Sequence, residues 1–118
     1  MASISSLTGN PITTLKHTCG DAAETLIDDV TGFVAQRSVT TGPGTVNENV
    51  IAVLITCEDN DIRFAWGTNP VQSGVGHILY VGQSLKLTNH KQIIDFRFIN
   101  KTAQSNAVLM ITPETSRI

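Results

Sequence analysis

The chain has 118 residues, 41% apolar and only 15% charged, with a net charge of −2, where about 25% charged is typical. That length fits one domain and allows burial of roughly two-thirds of the surface the unfolded chain exposes, enough for a core without staples. With no cluster of Lys and Arg, nothing matches a phosphate backbone, so no nucleic-acid partner is expected.

Thr, Asn, Ser and Gln carry the solubility, and uncharged polar surface loses less on leaving water than charged surface, which suits lasting protein contacts. The first residues, Met1 to Thr14, lack the basic start and apolar run of a signal peptide, so a product that stays in the cytoplasm where it is made is expected. No run approaches the roughly 20 apolar residues that cross a bilayer, and no membrane partner is expected. Cys19 and Cys57 are too few for a disulfide scaffold and read as free thiols, with Cys57 buried at the end of an apolar run. A bridge between them stays open for an oxidising environment.

In chain order, residues 1–20 are polar, contain the turn signal Gly9-Asn10-Pro11, and read as an extended arm, with or without a short strand in it, that orders only if something such as a neighbouring subunit ties it down. The body is expected over residues 21–118. Over 21–39, Leu26, Ile27, Val30, Phe33 and Val34 fall on one helical face. Thr25, Val30, Thr31 and Gly32 weaken a helix, so strands near 23–28 and 33–40 are favoured. Thr41-Gly42-Pro43-Gly44-Thr45 is a loop.

From residue 50 the pattern sharpens. Val50 to Cys57 is a continuous β-branched run, Glu58 to Asp61 a polar turn, and Ile62 to Trp66 an alternating strand, which together predict a hairpin. A Gly/Asn/Ser/Pro loop follows to Gly76. His77 to Tyr80 and Ser84 to Thr88 flank a turn at Val81-Gly82-Gln83. Ile94 to Phe98 alternates with Ile94, Phe96 and Phe98 facing in, and Ala107 to Ile111 is a last strand ending before Pro113. Strands at this spacing predict an all-β sandwich or barrel, jelly-roll or immunoglobulin-like.

Several of these segments, in order, carry a resemblance. Ile62-Arg63-Phe64-Ala65-Trp66-Gly67, Gly76-His77-Ile78-Leu79, Gly82-Gln83-Ser84-Leu85 and Phe96-Arg97-Phe98-Ile99-Asn100 resemble, in sequence and spacing, a group of small proteins from tailed-bacteriophage structural gene clusters. The group's usual Asp-Gly after the aromatic is Gly67-Thr68-Asn69 here. The resemblance covers about half the chain, from Ile55 to Pro113, and does not extend to the first 50 residues. It implies a virion accessory protein such as a capsid decoration (cement) protein, docked on the major capsid protein or another virion protein as a homo-oligomer, a trimer by resemblance. A head–tail junction or fibre component would look similar.

The three histidines, His17, His77 and His90, include no H-x-H, and no H-x-x-x-x-E lies near His77, so no metal or cofactor is expected; His77 reads as a strand start and His90 as an exposed loop residue. Glu58, Asp59 and Asp61 are explained by their turn. No G-x-S-x-G elbow or phosphate loop occurs, and no enzyme is expected. Arg63 and Arg97 sit opposite the inward aromatic faces of their strands and, if the strands are neighbours, can clamp a carboxylate of this chain or a partner bidentately; the alternative is solvated outer-face arginines paired with Asp61 or Asp95. Trp66 reads as a contact anchor or as a core-edge residue whose N–H reaches a carbonyl, and Tyr80 as a second contact candidate. A carbohydrate-binding module using Trp66 and Tyr80, and a metal-dependent cupin-like enzyme, are the other function classes.

Overall fold

The computed structural model describes residues 10–11, 13–33, 36–41 and 44–115. Two antiparallel sheets pack face to face, as the alternation predicts. The larger contains β1 (Asn10–Pro11), β2 (Leu15–Cys19), β4 (Gln36–Thr41), β5 (Gly44–Asp59), β8 (Ser84–Leu87) and β10 (Ala107–Thr115). The smaller runs β3 (Glu24–Thr25), β9 (Phe96–Asn100), β6 (Ile62–Trp66), β7 (His77–Leu79). Two short helices, α1 (Leu26–Asp29) and α2 (His90–Asp95), complete the body.

The core follows from side-chain period. Val53, Ile55 and Cys57 of β5 sit in register with Pro113, Ile111 and Leu109 of β10. All except Pro113 belong to the core cluster, where they meet Ile62, Phe64, Phe96 and Phe98 of the smaller sheet. Two register shifts between β10 and β5 tune this face. At one, Glu114 pairs with Ala52 and Thr115 with Val50, leaving Ile51 as the extra residue; the bulge turns Val50 into the core. The shorter elements add Leu26, Val30, Phe33, Ile93 and Cys19 to the same cluster. At the open edge between β2 and β3, His17 Nε2 lies 2.9 Å from Glu24 Oε1 and packs edge-on against Phe98, joining the two sheets.

Four expectations are corrected. First, β5 and β6 are not a hairpin. One edge of β5 is taken by β10 and the other by β4 and β8, so the chain arches at Asn60 (φ 55°) into the opposite sheet. Second, the run read as a strand from Ile94 begins as α2. Asn89 caps it by accepting from Gln92 N, so Ile93 is buried and Ile94 is 40% exposed, while His90 opens the helix. Third, residues 21–33 are neither one helix nor a strand over 23–28. β3 gives way at Thr25, which caps the single turn of α1 by accepting from Asp28 N. Leu26, Val30 and Phe33 of the expected helical face are still buried; Val34 lies outside the described residues.

Fourth, the short strand allowed for within the arm over 1–20 is present as β2, and it belongs to the larger sheet of the body. Leu15, His17 and Cys19 alternate inward, and β2 pairs with β10 from Leu15↔Ile111 to Cys19↔Ala107. Residues 1–9 lie outside the described residues.

A different element stands off the body. β4 pairs only with β5 among the described residues, from Gln36↔Asn49 to Thr41↔Gly44, while β10 and β8 join β5 only from Val50 onward. Sixteen residues of β5, at roughly 3.3 Å each, reach about 53 Å, close to the 52 Å long dimension of a molecule 20 Å thick. The first third of β5 and all of β4 therefore form a two-stranded ribbon extending the larger sheet.

Candidate functional site

Three parts of the surface have the geometry to meet another molecule: the outer face of the smaller sheet, the end that carries Trp66, and the ribbon.

On the outer face, β6 and β9 are neighbours, with Arg63 opposite Ile99 and Arg97 opposite Ala65. The two arginines thus stand diagonally on one face, as their alternation predicts. Their hydrogen bonds within the chain go to a loop and not to a shared carboxylate. Arg63 donates from Nε to the Gln72 carbonyl (2.9 Å) and from an Nη to the Gly76 carbonyl (3.0 Å), and Arg97 donates to Asn69 Oδ1 (2.9 Å). Both hold the 67–76 loop onto the sheet. Gly76 (φ 131°) lets the loop return, because a Cβ there would lie 3.1 Å from Pro70 Cβ, 3.2 Å from Arg63 Cβ and 3.3 Å from the Phe64 carbonyl oxygen.

The far side of this loop is fastened by Asp21. Its Oδ1 accepts from Asn100 Nδ2 (2.9 Å), the Gln104 N–H (2.9 Å) and Gln72 Nε2 (3.1 Å). Gln72 Nε2 also donates to Asn100 Oδ1, whose residue is fully buried. The Asn100 amide, then the Gln104 N–H, holds the Asp21 carboxyl below its usual range against a smaller desolvation effect. Sequence reasoning did not find this hub, because its members are spread along the chain, Asp21, Gln72 and Gln104 in polar loops and Asn100 at the end of β9.

Trp66 and Tyr80 lie at opposite ends of the smaller sheet, since Trp66 pairs with Phe96 while Ile62 pairs with Leu79, next to Tyr80. They form no common platform. Tyr80 and Val81 are each 50% exposed on the arch between β7 and β8, held by Asp61 Oδ1 accepting from Val81 N (2.9 Å). The turn expected to explain Glu58, Asp59 and Asp61 is therefore corrected: Glu58 and Asp59 end β5, and Asp61 fastens a loop twenty residues away. Trp66 has the geometry of its core-edge reading: Nε1 donates to the Gln92 carbonyl (3.1 Å), and the ring packs with Phe64, Phe96 and His77. It is nevertheless 39% exposed and lines an open cavity of about 240 Å³ with Asn89, Lys91, Gln92 and Asp95. The Asp95 carboxylate, by hydrogen bond and then by charge, raises the Lys91 ammonium's pKa.

The thiols are closed off. Cys19 and Cys57 are free, buried, and on strands that flank β10 on either side. Two strand spacings, roughly 9–10 Å, exceed the Cα separation of about 4.4–6.8 Å a disulfide requires, so the bridge left open by the sequence is ruled out in this fold. Burial is the largest cause that raises the Cys19 thiol to about 12 and the Cys57 thiol to about 11. Among the described residues, no three His, Cys, Asp or Glu side chains converge as a metal site, and no helix is long and apolar enough to cross a membrane.

Comparisons of the chain with protein-family models, curated proteins and solved structures found no match.

Proposed function

We propose that the chain is a virion structural protein of a tailed bacteriophage, a decoration (cement) protein that docks on the major capsid protein and stiffens the head through protein–protein contacts. The observation that carries this reading is the β4–β5 ribbon. An isolated two-stranded ribbon is at best marginally stable in water, so an element that leaves its own body needs a second surface against it. Its only charged residues, Arg37 and Glu48, occupy opposite register positions, leaving little net charge to desolvate on docking. The ordered Arg-aromatic, Gly-His and Phe-Arg-Phe segments of the sequence support the phage assignment.

The mechanism is mechanical. A standard contact buries about 1,600 Å², and repetition as an oligomer, a trimer by resemblance, multiplies a modest contact into large avidity. A chain in which residues 37–48 are replaced by an Asn-Gly turn tests this. It is expected to keep the melting transition of the body and to disappear from the head fraction of sedimented particles. Full occupancy of heads by the shortened chain overturns the ribbon's role, and co-sedimentation of the intact chain with tails alone moves the protein to the tail.

A further inference from the structure

The end of the smaller sheet beside α2 is built as a small binding site, independent of the docking reading above. Trp66 is anchored by its own N–H on the Gln92 carbonyl and wedged against Phe64 (centroids 5.5 Å), Phe96 (5.9 Å) and His77 (6.2 Å), so the ring cannot fold away. Because the indole N–H is satisfied inside the chain, what the residue offers outward is apolar ring surface.

The polar rim is sorted by the local fold. Asn89 Oδ1 accepts from Gln92 N and Gln92 Oε1 from Thr88 N, each at 2.9 Å. Both amide oxygens are consumed by backbone, which leaves the two NH2 groups as donors. Also lining the cavity, Asp95 Oδ2 binds Lys91 Nζ at 2.8 Å, and the second carboxylate oxygen remains an acceptor. Fixed apolar ring, two amide donors, one ammonium and one carboxylate are the features in hand.

We propose that this cavity binds a single neutral sugar ring of a glycan, with an apolar C–H face of the pyranose on Trp66 and its hydroxyls on Asn89, Gln92 and Asp95. The chemistry discriminates among ligands. A cation meets Lys91 and two amide donors, an anion meets Asp95, and a purely apolar group strands the rim without partners. A pyranose is apolar on one face and carries hydroxyls that both donate and accept. The volume, about 240 Å³, is below the ~300–1,000 Å³ of pockets for drug-sized ligands, which fits one ring, and an open site of this size implies millimolar affinity.

Trp66 is the sole tryptophan, so its emission reports the site directly. The intact protein is titrated with D-glucose, D-galactose, N-acetyl-D-glucosamine and a trisaccharide of each, to roughly 100 mM, with glycerol as the control. A saturable emission change with at least one sugar and none with glycerol is expected, accompanied by a shift of the Trp66 indole N–H resonance. Asn89→Asp and Gln92→Glu retain the capping oxygens and remove the NH2 donors, so each is expected to melt like the wild type and to weaken that sugar about three- to tenfold. No saturable change with any sugar, an equal response to glycerol, or unaltered affinity in both folded variants overturns the assignment. Should either variant unfold, an indole N–H resonance of the wild type that is insensitive to every sugar does so alone.

Discussion

Arg63 on β6 and Arg97 on β9 stand diagonally on one sheet face and grip the same loop at different points, Arg63 at Gln72 and Gly76, Arg97 at Asn69. The guanidinium fork of Arg63 serves two carbonyls at fixed positions, which a lysine ammonium on a flexible stem does not reproduce. Arg63→Ala is expected to cost about 2–3 kcal/mol, since hydrogen bonds to charged groups are worth roughly 1.5–3 kcal/mol each and the site is only half-buried. Urea unfolding and limited proteolysis within 67–76 measure it, and Arg63→Lys should recover little of the loss. Arg97 makes a single such bond and buries its Nε without a partner, so Arg97→Met should cost under about 1 kcal/mol. Equal losses at the two positions would contradict this division of labour.

The same loop depends on Gly76. Its φ of 131° is a conformation that side chains rarely adopt, and the nearest atoms to an added Cβ include the Phe64 carbonyl oxygen on a central strand, which cannot swing aside. Backbone strain of this kind costs about 1–3 kcal/mol. Gly76→Ala should therefore lower the unfolding free energy measured in urea by about 2 kcal/mol or more, whereas Gly67→Ala, with nothing within 4 Å, should show only the strain of its positive φ. A smaller loss at Gly76 than at Gly67 would show that the loop can be rebuilt without touching β6.

Asp21 links the loop to acid stability. Its folded carboxyl titrates below the unfolded value of 3.8, so the unfolded chain binds the proton first as pH falls. The stabilisation is complete above the unfolded value and is lost as pH falls through the folded one. Asp21→Asn is expected to flatten the dependence of the unfolding midpoint on pH between roughly 5 and 2.5. An unchanged slope would mean that the three donors to Oδ1 do not hold the charged form in solution.

How far the sequence is readable depends on how local the deciding interaction is. The β-branched run of β5 and the Phe96/Phe98 alternation of β9 predict two packed sheets because strand period and burial are written in neighbouring residues. The partner of each strand is not. The hairpin expected between Cys57 and Ile62 fails because the two edges of β5 beyond Val50 are claimed by β8 and β10, which lie far away in sequence. Among site residues, Arg63, Arg97, Trp66 and Tyr80 are placed on the surface elements expected of them, yet the bonds of both arginines end on a loop whose path depends on Gly76. A local signal for α2 did exist: Asn89 with Gln92 three residues on is a helix-start pattern, here masked by the β-like alternation of Ile94, Phe96 and Phe98. The ribbon is half legible: the strand favoured near 33–40 is β4 at Gln36–Thr41, and Thr41-Gly42-Pro43-Gly44-Thr45 marks the turn after it. Its partner, the first third of β5, is polar and lacks the alternation that identifies a strand facing a core.

The two cysteines bring an alkaline limit. Burial raises the folded Cys19 thiol to about 12 and the Cys57 thiol to about 11 from an ordinary 9.0, with nearby Glu24 for Cys19 and Asp61 for Cys57 as the next causes. Above pH 9.0 the unfolded chain releases these protons while the folded chain keeps them, so stability falls as pH rises. The contribution is complete below the unfolded value and is lost on the way to the folded ones. Cys19→Ala with Cys57→Ala should leave a smaller fall in the unfolding midpoint between about pH 8 and pH 10.5 than the wild type shows, even though both substitutions lower stability at neutral pH by removing core volume. A thiol reagent at pH 8 should likewise label neither cysteine in the native protein and both in urea, because the thiolate is the reactive form and neither sulfur meets solvent. Rapid labelling of Cys57 alone in the native state would show that the arch at Asn60, whose carbonyl accepts from the Cys57 thiol at 2.9 Å, opens independently of the core.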